Sequence, residues 1–559
     1  MITLLITAAL AAPADLMAAA EAELDRAMTL QLPDQPAPYY VSMEVLDGSM
    51  STALANFGAI TSHNTDHYRN LRVDVRVGSA MLDNTNFSPS FGERSGMSSR
   101  GLPDEDDPTA LRREMWLALD SAYKGATEQL AAKLSAFEGR EPSAIPDLSA
   151  SAPLRTAPVA PPTIDGAATA ELVATLTARL AQTPGLEDAS AIARDWQGVR
   201  MLCSSEGARA WLPSGFTIVR IEGIIRADDG ARIRDSRSWV ARDFDSLPPV
   251  EEMLSEIDAL GTWLTAMKDA PIEEDYLGPV LLESPAAIEL FRQLLLPEIV
   301  GTPPASEPPN PYQDFPSVAA TARPGRRLLP TGWSVVDDPT MLPDAAGSFT
   351  HDYEGVETER IALVEDGVSR NLLMSRIPRK GFLTSNGHGR SLGLDRRAGL
   401  PGVITVTPKR SRSERALERK AIALARQAGL DYVLVIGMIE PPALTEDFRV
   451  AFSGEGPLPG ITRPLQAWRL YPDGTTQPVR GLEFVGVDRR AMRDVAAAGP
   501  VSAPRNVMDS TPDANRYSIG SVGGLPSTWS APSVVITELE LRGSGGSERR
   551  VLAPPASEE

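Results

Sequence analysis

The chain is poor in the side chains from which most catalytic sites are built. It has a single cysteine, Cys203, and four histidines, His63, His67, His351 and His388. One thiol cannot form an intrachain disulfide. Set among apolar neighbours in VRMLCSSEG and far in sequence from any histidine, it reads as a small core residue rather than a nucleophile, which would need a base beside it. No apolar run in the body of the chain is long enough to span a bilayer. Basic residues are outnumbered, 54 against 74 acidic, for a net charge of -20. Such a surface repels phosphate backbones and anionic headgroups, so neither nucleic acid nor a membrane surface is an expected partner. There is no G-x-S-x-G elbow. There is no glycine-rich phosphate loop ending in Lys-Ser or Lys-Thr either, and NGHG at Asn386 to Gly389 is too short to serve as one.

With 559 residues and 42% hydrophobic content, the chain can bury more than one core, and two domains are expected. Residues 1–14 read as a signal peptide, an apolar run closed by Ala12-Pro13-Ala14 before Asp15, although the usual basic n-region is missing. If it is cleaved the protein is periplasmic or secreted. Otherwise the protein is cytoplasmic and the run is an apolar helix. Residues 15–270 form the first domain, with a Pro/Ala-rich linker at about 149–163. Apolar residues at helical spacing predict a helix from Asp15 to about Leu32 and a long one carrying Leu111, Met115, Trp116, Leu119, Tyr123, Ala126, Leu130 and Leu134 on its buried face. PYYVSMEVLDG predicts a strand entering a turn at Asp47-Gly48, and LRVDVRVG alternates as a strand with one wet face should. A hairpin turns at Asp228-Asp229-Gly230.

Residues 275–555 form the second domain. It opens with the strand GPVLLE and the helix SPAAIELFRQLLL, then carries a proline-rich insertion at about 302–316. Short strands follow, with hairpins at Glu365-Asp366-Gly367 and Pro472-Asp473-Gly474, and one more helix capped by Ser413 and stopped by Gly429. The fold class is α+β: an N-terminal α/β sandwich-like domain followed by a mainly antiparallel β domain.

Two groups of residues have metal-binding chemistry. His63 and His67 in TSHNTDHYRN have the spacing that a helix turns into a zinc pair, but no glutamate follows the first, and the flanks read as strand and turn, so a solvated loop is the plainer reading. HDYEGVETER, His351 to Arg360, packs a histidine and four carboxylates into ten residues. It reads as an acidic turn before a strand, or as a divalent-metal site formed by His351, Asp352 and Glu354 with His388.

The C-terminal half resembles the C-terminal domain of the TldD/PmbA family, bacterial proteins implicated in trimming peptides. The resemblance is carried, in order, by FTHDYEGVETERIALVEDGVSRNLLMSR, SNGHGRS, YPDGTTQPVRGLEFVG and STWSAPSVVITELEL, with SSEG at Ser204 to Gly207 resembling a family turn further upstream. It implies a dimer of clam-like subunits around a chamber. It also implies, in the zinc-bearing members, an H-E-x-x-x-H helix plus a distal cysteine. Here those positions fall at Arg292, Gln293 and Pro297, and no cysteine follows Cys203. A guanidinium, an amide and a proline ring cannot replace two imidazoles and a general base. The chain is thus similar to the zinc-less PmbA/TldE-type branch. That branch implies no cofactor and no catalytic residue, and a peptide or unfolded segment held by Asp352, Glu354, Asn386 and His388. It also implies a homodimer, or a heterodimer with a zinc-bearing TldD-like subunit. The expected dimer surface is Ala531 to Leu541, through Val534, Ile536 and Leu539. The alternative is an active metallopeptidase whose zinc or other divalent metal has moved to His351, Asp352 and His388.

Overall fold

The structure, a computed structural model, describes residues 13–87, 95–139, 143–305, 322–391, 396–441, 461–509 and 524–543. Residues 1–12 of the expected signal peptide, most of the proline-rich insertion and the last residues of the second domain lie outside these.

The first half is a long antiparallel sheet with strands in the order Leu82–Asp83, Ala59–Ser79, Pro38–Asn56, Leu186–Ser204, Arg209–Arg226, Arg232–Ala241, and with Met97–Gly101 paired on the second of these. Odd-numbered residues of the central strands point to one face, and four helices cover it. α1 (Pro13–Ala27) and α2 (Pro108–Ala136) close a core with Val41, Met43, Val45, Val73, Val75, Met201 and Cys203. α3 (Gly166–Leu180) and α4 (Val250–Lys268) do the same further along the strands with Ala53, Ala191, Val219 and Ile221. The caps are local. The Asp107 carboxylate accepts from Thr109 N ahead of Pro108, and Asp165 accepts from the N–H groups of Ala167 and Ala168.

Three expectations change here. The first strand does not turn at Asp47-Gly48 but runs on to Asn56. Gly48 pairs with Gly198, and a Cβ at Gly48 would fall 2.5 Å from Gln197 O and Gly198 Cα. The glycine serves close strand approach rather than a bend. TSHNTDHYRN is strand, not loop, so His63 and His67 lie about 13 Å apart along it and cannot share a metal ion. His67 instead bridges Asp47 and Asp104 at 2.8 and 2.9 Å. On α2, Trp116 and Leu134 are exposed, because the buried stripe follows Leu111, Met115, Ala118, Ala122 and Ala126. Cys203 is buried, and burial pushes its thiol up to about 12, which fits an inert core residue.

The second half has two large sheets and a two-stranded pair, Gly389–Arg390 with Ala398–Gly399. One runs Val368–Ser369, Ile361–Glu365, Ser334–Asp337, Val403–Thr407, Leu525–Ser530, Arg505–Asp509. The other runs Thr476–Val479, Pro464–Leu470, Val433–Ile439, Tyr276–Leu282, Pro532–Gly543, Leu482–Val485, with Val495–Val501 also on Pro532–Gly543. α5 (Ser284–Ile299) shares one core with both, through Leu290, Phe291, Leu294 and Leu295 against Val335, Ile404, Leu434 and Ile436. α6 (Glu414–Gln427) covers the other face of the second sheet, where Leu417, Ala421 and Ala425 meet Leu281, Val433, Val435 and Val535. Both predicted hairpins form, with Asp366 and Gly367 at positive φ, as a two-residue primed turn requires.

This layering corrects the expected dimer surface. Val534 and Ile536 point into the α5 core together with Leu539, and Val535 points at α6. The strand is therefore interior from Pro532 to Ile536, where both of its faces are filled by the chain itself, and beyond this only the face carrying Leu539 and Leu541 is buried, while Glu538, Glu540 and Arg542 are exposed. Among the described residues, no helix is long and apolar enough to cross a membrane.

Candidate functional site

The face of the N-terminal sheet that carries no helix is charged, and part of it meets the second half. Glu44 sits between the guanidinium groups of Arg200 and Arg397. The Nη1 groups of Arg72 and Arg397 donate to Ser391 Oγ at 3.0 and 2.6 Å. Tyr353, inside the HDYEG turn, is the centre of this seam. Its ring lies 3.6 Å from the Arg200 guanidinium carbon and 5.3 and 5.7 Å from those of Arg397 and Arg390. Burial pushes the phenol up, but Arg390, Arg200 and Arg397 outweigh it and hold its pKa below the usual range. Burial likewise brings Arg200 down to about 10. Arg376 adds a second contact, donating to Ser149 O at 2.6 Å and pairing with Glu206 at 2.8 Å.

The residues expected to hold substrate mostly hold loops. Asp352 is fully buried, and its carboxylate accepts from the N–H groups of Glu354, Val356 and Gly389 at 2.9, 3.0 and 2.7 Å. Burial, with Glu354 beside it, raises its pKa. Glu354 accepts from Arg376 N at 2.7 Å. Asn386 pairs like a strand residue, accepting from Met374 N and donating to Leu372 O, both at 2.8 Å. His388 is buried, with Nδ1 2.9 Å from Asn386 O and Nε2 3.7 Å from Asp337 Oδ2. His351 contacts Thr350 Oγ1 instead. Among the described residues, no group of three or more His, Cys, Asp or Glu side chains is placed to hold a metal ion. The alternative set of His351, Asp352 and His388 is not assembled, because the Asp352 oxygens are already taken by backbone N–H groups.

α5 is more informative. Arg292 is buried and fixed on three sides. It pairs with Glu289 one turn back, reaches Asp509 Oδ1 from Nε at 2.8 Å, and donates from Nη2 to Met508 O at 2.6 Å. Gln293 ties the helix to the residues before the strand Pro464–Leu470, donating to Thr462 Oγ1 and accepting from Thr462 N, both at 2.8 Å. Pro297 lies in the last turn of the helix. Arg292 and Glu289 also line a small, partly open cleft, with Ile218, Ser238 and Val240 of the N-terminal sheet on one side and Arg505 to Met508 on the other. Sequence reasoning found Arg292 by position but missed Arg505 and Asp509, since nothing local marks a strand residue as lining a cleft more than 200 positions from its helix.

The architecture is that of a two-part α+β protein with a charged seam and a cleft beside the first helix of its second half. Residues 279–451 match the family described as the PmbA/TldA metallopeptidase C-terminal domain, the domain that the C-terminal half resembles in sequence. No curated protein matches it. Among solved structures it is similar to TldE from Thermococcus kodakarensis, with a TM-score of 0.60 at 12% identity over 94% of this chain and 100% of that one. It is also similar to a protein of Thermotoga maritima described as a proposed modulator of a DNA gyrase, with a TM-score of 0.57 at 13% identity over 90% of this chain and 96% of that one. A protein of Bacteroides thetaiotaomicron with the same description gives 0.54 at 12% identity, over 94% and 98% of the two chains. At these identities the likeness is one of fold.

Proposed function

We propose that this chain is a non-catalytic, zinc-less subunit of its family, binding a peptide or unfolded segment alone or beside a zinc-bearing relative. The observation that carries this reading is Arg292. At the place where the resemblance implies a metal ligand, a guanidinium stands between Glu289 and Asp509. It has no lone pair to offer, it holds one oxygen of each carboxylate, and its own charge repels a cation. The fold likeness to TldE of T. kodakarensis supports the same branch. Asp352, Glu354, Asn386 and His388 shape the wall from behind rather than touching a ligand. The partner is a second copy or a zinc-bearing relative, joined through a surface other than the strand Pro532–Gly543.

The test is elemental analysis after dialysis against a chelator, with light scattering of the protein alone and mixed with a zinc-bearing relative. The reading expects no stoichiometric zinc, no peptide turnover by the isolated chain, and a dimer with itself or the relative. About one tightly held metal per chain, or hydrolysis that survives dialysis, would overturn it.

A further inference from the structure

We propose that the cleft beside α5 takes the C-terminal end of a peptide, with Arg505 receiving the carboxylate and Glu289 the adjoining backbone N–H. This rests on the peptide-binding reading above and assigns it a place and a polarity. A second small compartment adjoins it, and the two share Ser238, Glu289, Pro441 and Arg505 in their walls.

Two side chains on that shared wall carry unmet and opposite demands. Glu289 is 5% exposed. One of its oxygens is bound by Arg292, while Oε2 is buried with no hydrogen-bond partner. It can accept one N–H. Arg505 is half-buried beside the same cleft, and its guanidinium makes no hydrogen bond or ion pair with a described residue. Burial pushes its pKa down, against the pull of Glu289 and Glu256. Leaving a guanidinium unpaired in such a place is costly. A ligand that supplies an anionic acceptor to Arg505 and a donor to Glu289 removes both penalties at once, and the end of a peptide carries those two groups side by side. Arg292, with its own acceptors in place, adds positive potential without competing for the ligand. Ile218, Val240 and Val507 make part of the cleft wall apolar.

The test is titration calorimetry of the full chain with tri-alanine, its C-terminal amide, its N-acetyl form, and a 20-residue Gly/Ser/Ala peptide amidated at its C-terminus. Tri-alanine and its N-acetyl form are expected to bind, and the amide to bind about 10- to 100-fold more weakly, the worth of a charge-assisted contact. In Arg505→Gln the free acid should fall to the level of the amide. The melting temperature of the unliganded variant should not drop, because Arg505 has no partner to lose. Equal binding of acid and amide, or loss on acetylation instead of amidation, overturns the assignment and leaves peptide binding standing. So does binding of the amidated 20-mer alone. Binding of none of the four overturns the assignment and the peptide-binding reading together.

Discussion

Arg292 and Asp509 meet as a buried forked pair, with Nε and Nη2 of the guanidinium 2.8 and 2.7 Å from the same oxygen, Oδ1 of Asp509. Burial pushes the Arg292 pKa down, but Glu289 and Asp509 more than offset this and hold it above its ordinary value. The pair joins α5 to the edge strand of the first C-terminal sheet, so a residue at the implied metal position has become part of the scaffold.

Removing that guanidinium leaves two buried carboxylates without a counter-charge. Arg292→Ala should cost about 3–5 kcal/mol of stability, read by denaturant unfolding. Arg292→Met combined with Glu289→Gln and Asp509→Asn should recover most of it, since neither carboxylate is then left without its counter-charge. A loss within experimental error for the single variant would show that the pair is dispensable.

Asp337 and His388 give a pH prediction in which the signs oppose. Both are fully buried. Burial raises the Asp337 carboxyl to about 7, even though Gly402 and Val403 donate to it. Burial lowers the His388 imidazole to about 4. A raised carboxyl pKa means the folded chain keeps a proton the unfolded chain has lost. The Asp337 contribution is therefore present below about 4 and lost as pH rises through 7. A lowered imidazole pKa does the reverse, and the His388 contribution is present above 6.5 and lost as pH falls through 4. Relative to the parent, Asp337→Asn should lose stability more steeply between pH 6.5 and 4.5, and His388→Asn less steeply. Unfolding curves at several pH values read the slopes, and a change of the same sign in both variants would refute the assignment.

How far the sequence discloses this protein depends on the range of the interaction. The Asp366-Gly367 hairpin is legible because positive φ at two adjacent residues selects its residue types locally. α2 and α6 are legible from apolar spacing. The passage of the first strand through Asp47-Gly48 is not, because the reason is Gly198, 150 positions away. LRVDVRVG shows the same limit. Its alternation correctly marks a strand, but its polar face is not simply wet. Arg72 reaches Ser391, and Arg76 is buried against Asp74 and Asp83. Alternation records that a face is polar and does not say what covers it. For the same reason HDYEG drew attention to its acids and histidine, while Tyr353 between them makes the contact with the other half.

Ile536 separates a core role from an interface role. It has no exposed surface and lies in the α5 core. Ile536→Val should cost about 0.5–1.5 kcal/mol, and Ile536→Asp should unfold the second half outright by burying a lone carboxylate. Neither should shift the association state of molecules that remain folded. Light scattering showing that Ile536→Val halves a dimer population without lowering the melting temperature would return this strand to the interface.

Glu44 is the acid that makes the seam between the halves tolerable. It is the carboxylate held by Arg200 and Arg397, and these two guanidiniums flank Tyr353 together with Arg390. Arg397 itself is pulled below its ordinary pKa by burial, with Glu354 and Tyr353 opposing that shift. Glu44→Gln keeps the shape and removes the charge, leaving the guanidiniums to repel one another where water cannot screen them. It should cost about 3–5 kcal/mol if both halves unfold together. If the halves can part, the cost appears as opening. Amides of the charged strand residues Arg72 and Arg200 would then exchange faster, while those of the helix-covered core at Leu119 and Leu290 keep their protection. Hydrogen exchange followed by mass spectrometry distinguishes the two outcomes. Unchanged exchange at Arg72 and Arg200 together with unchanged stability would show that Glu44 does not hold the seam.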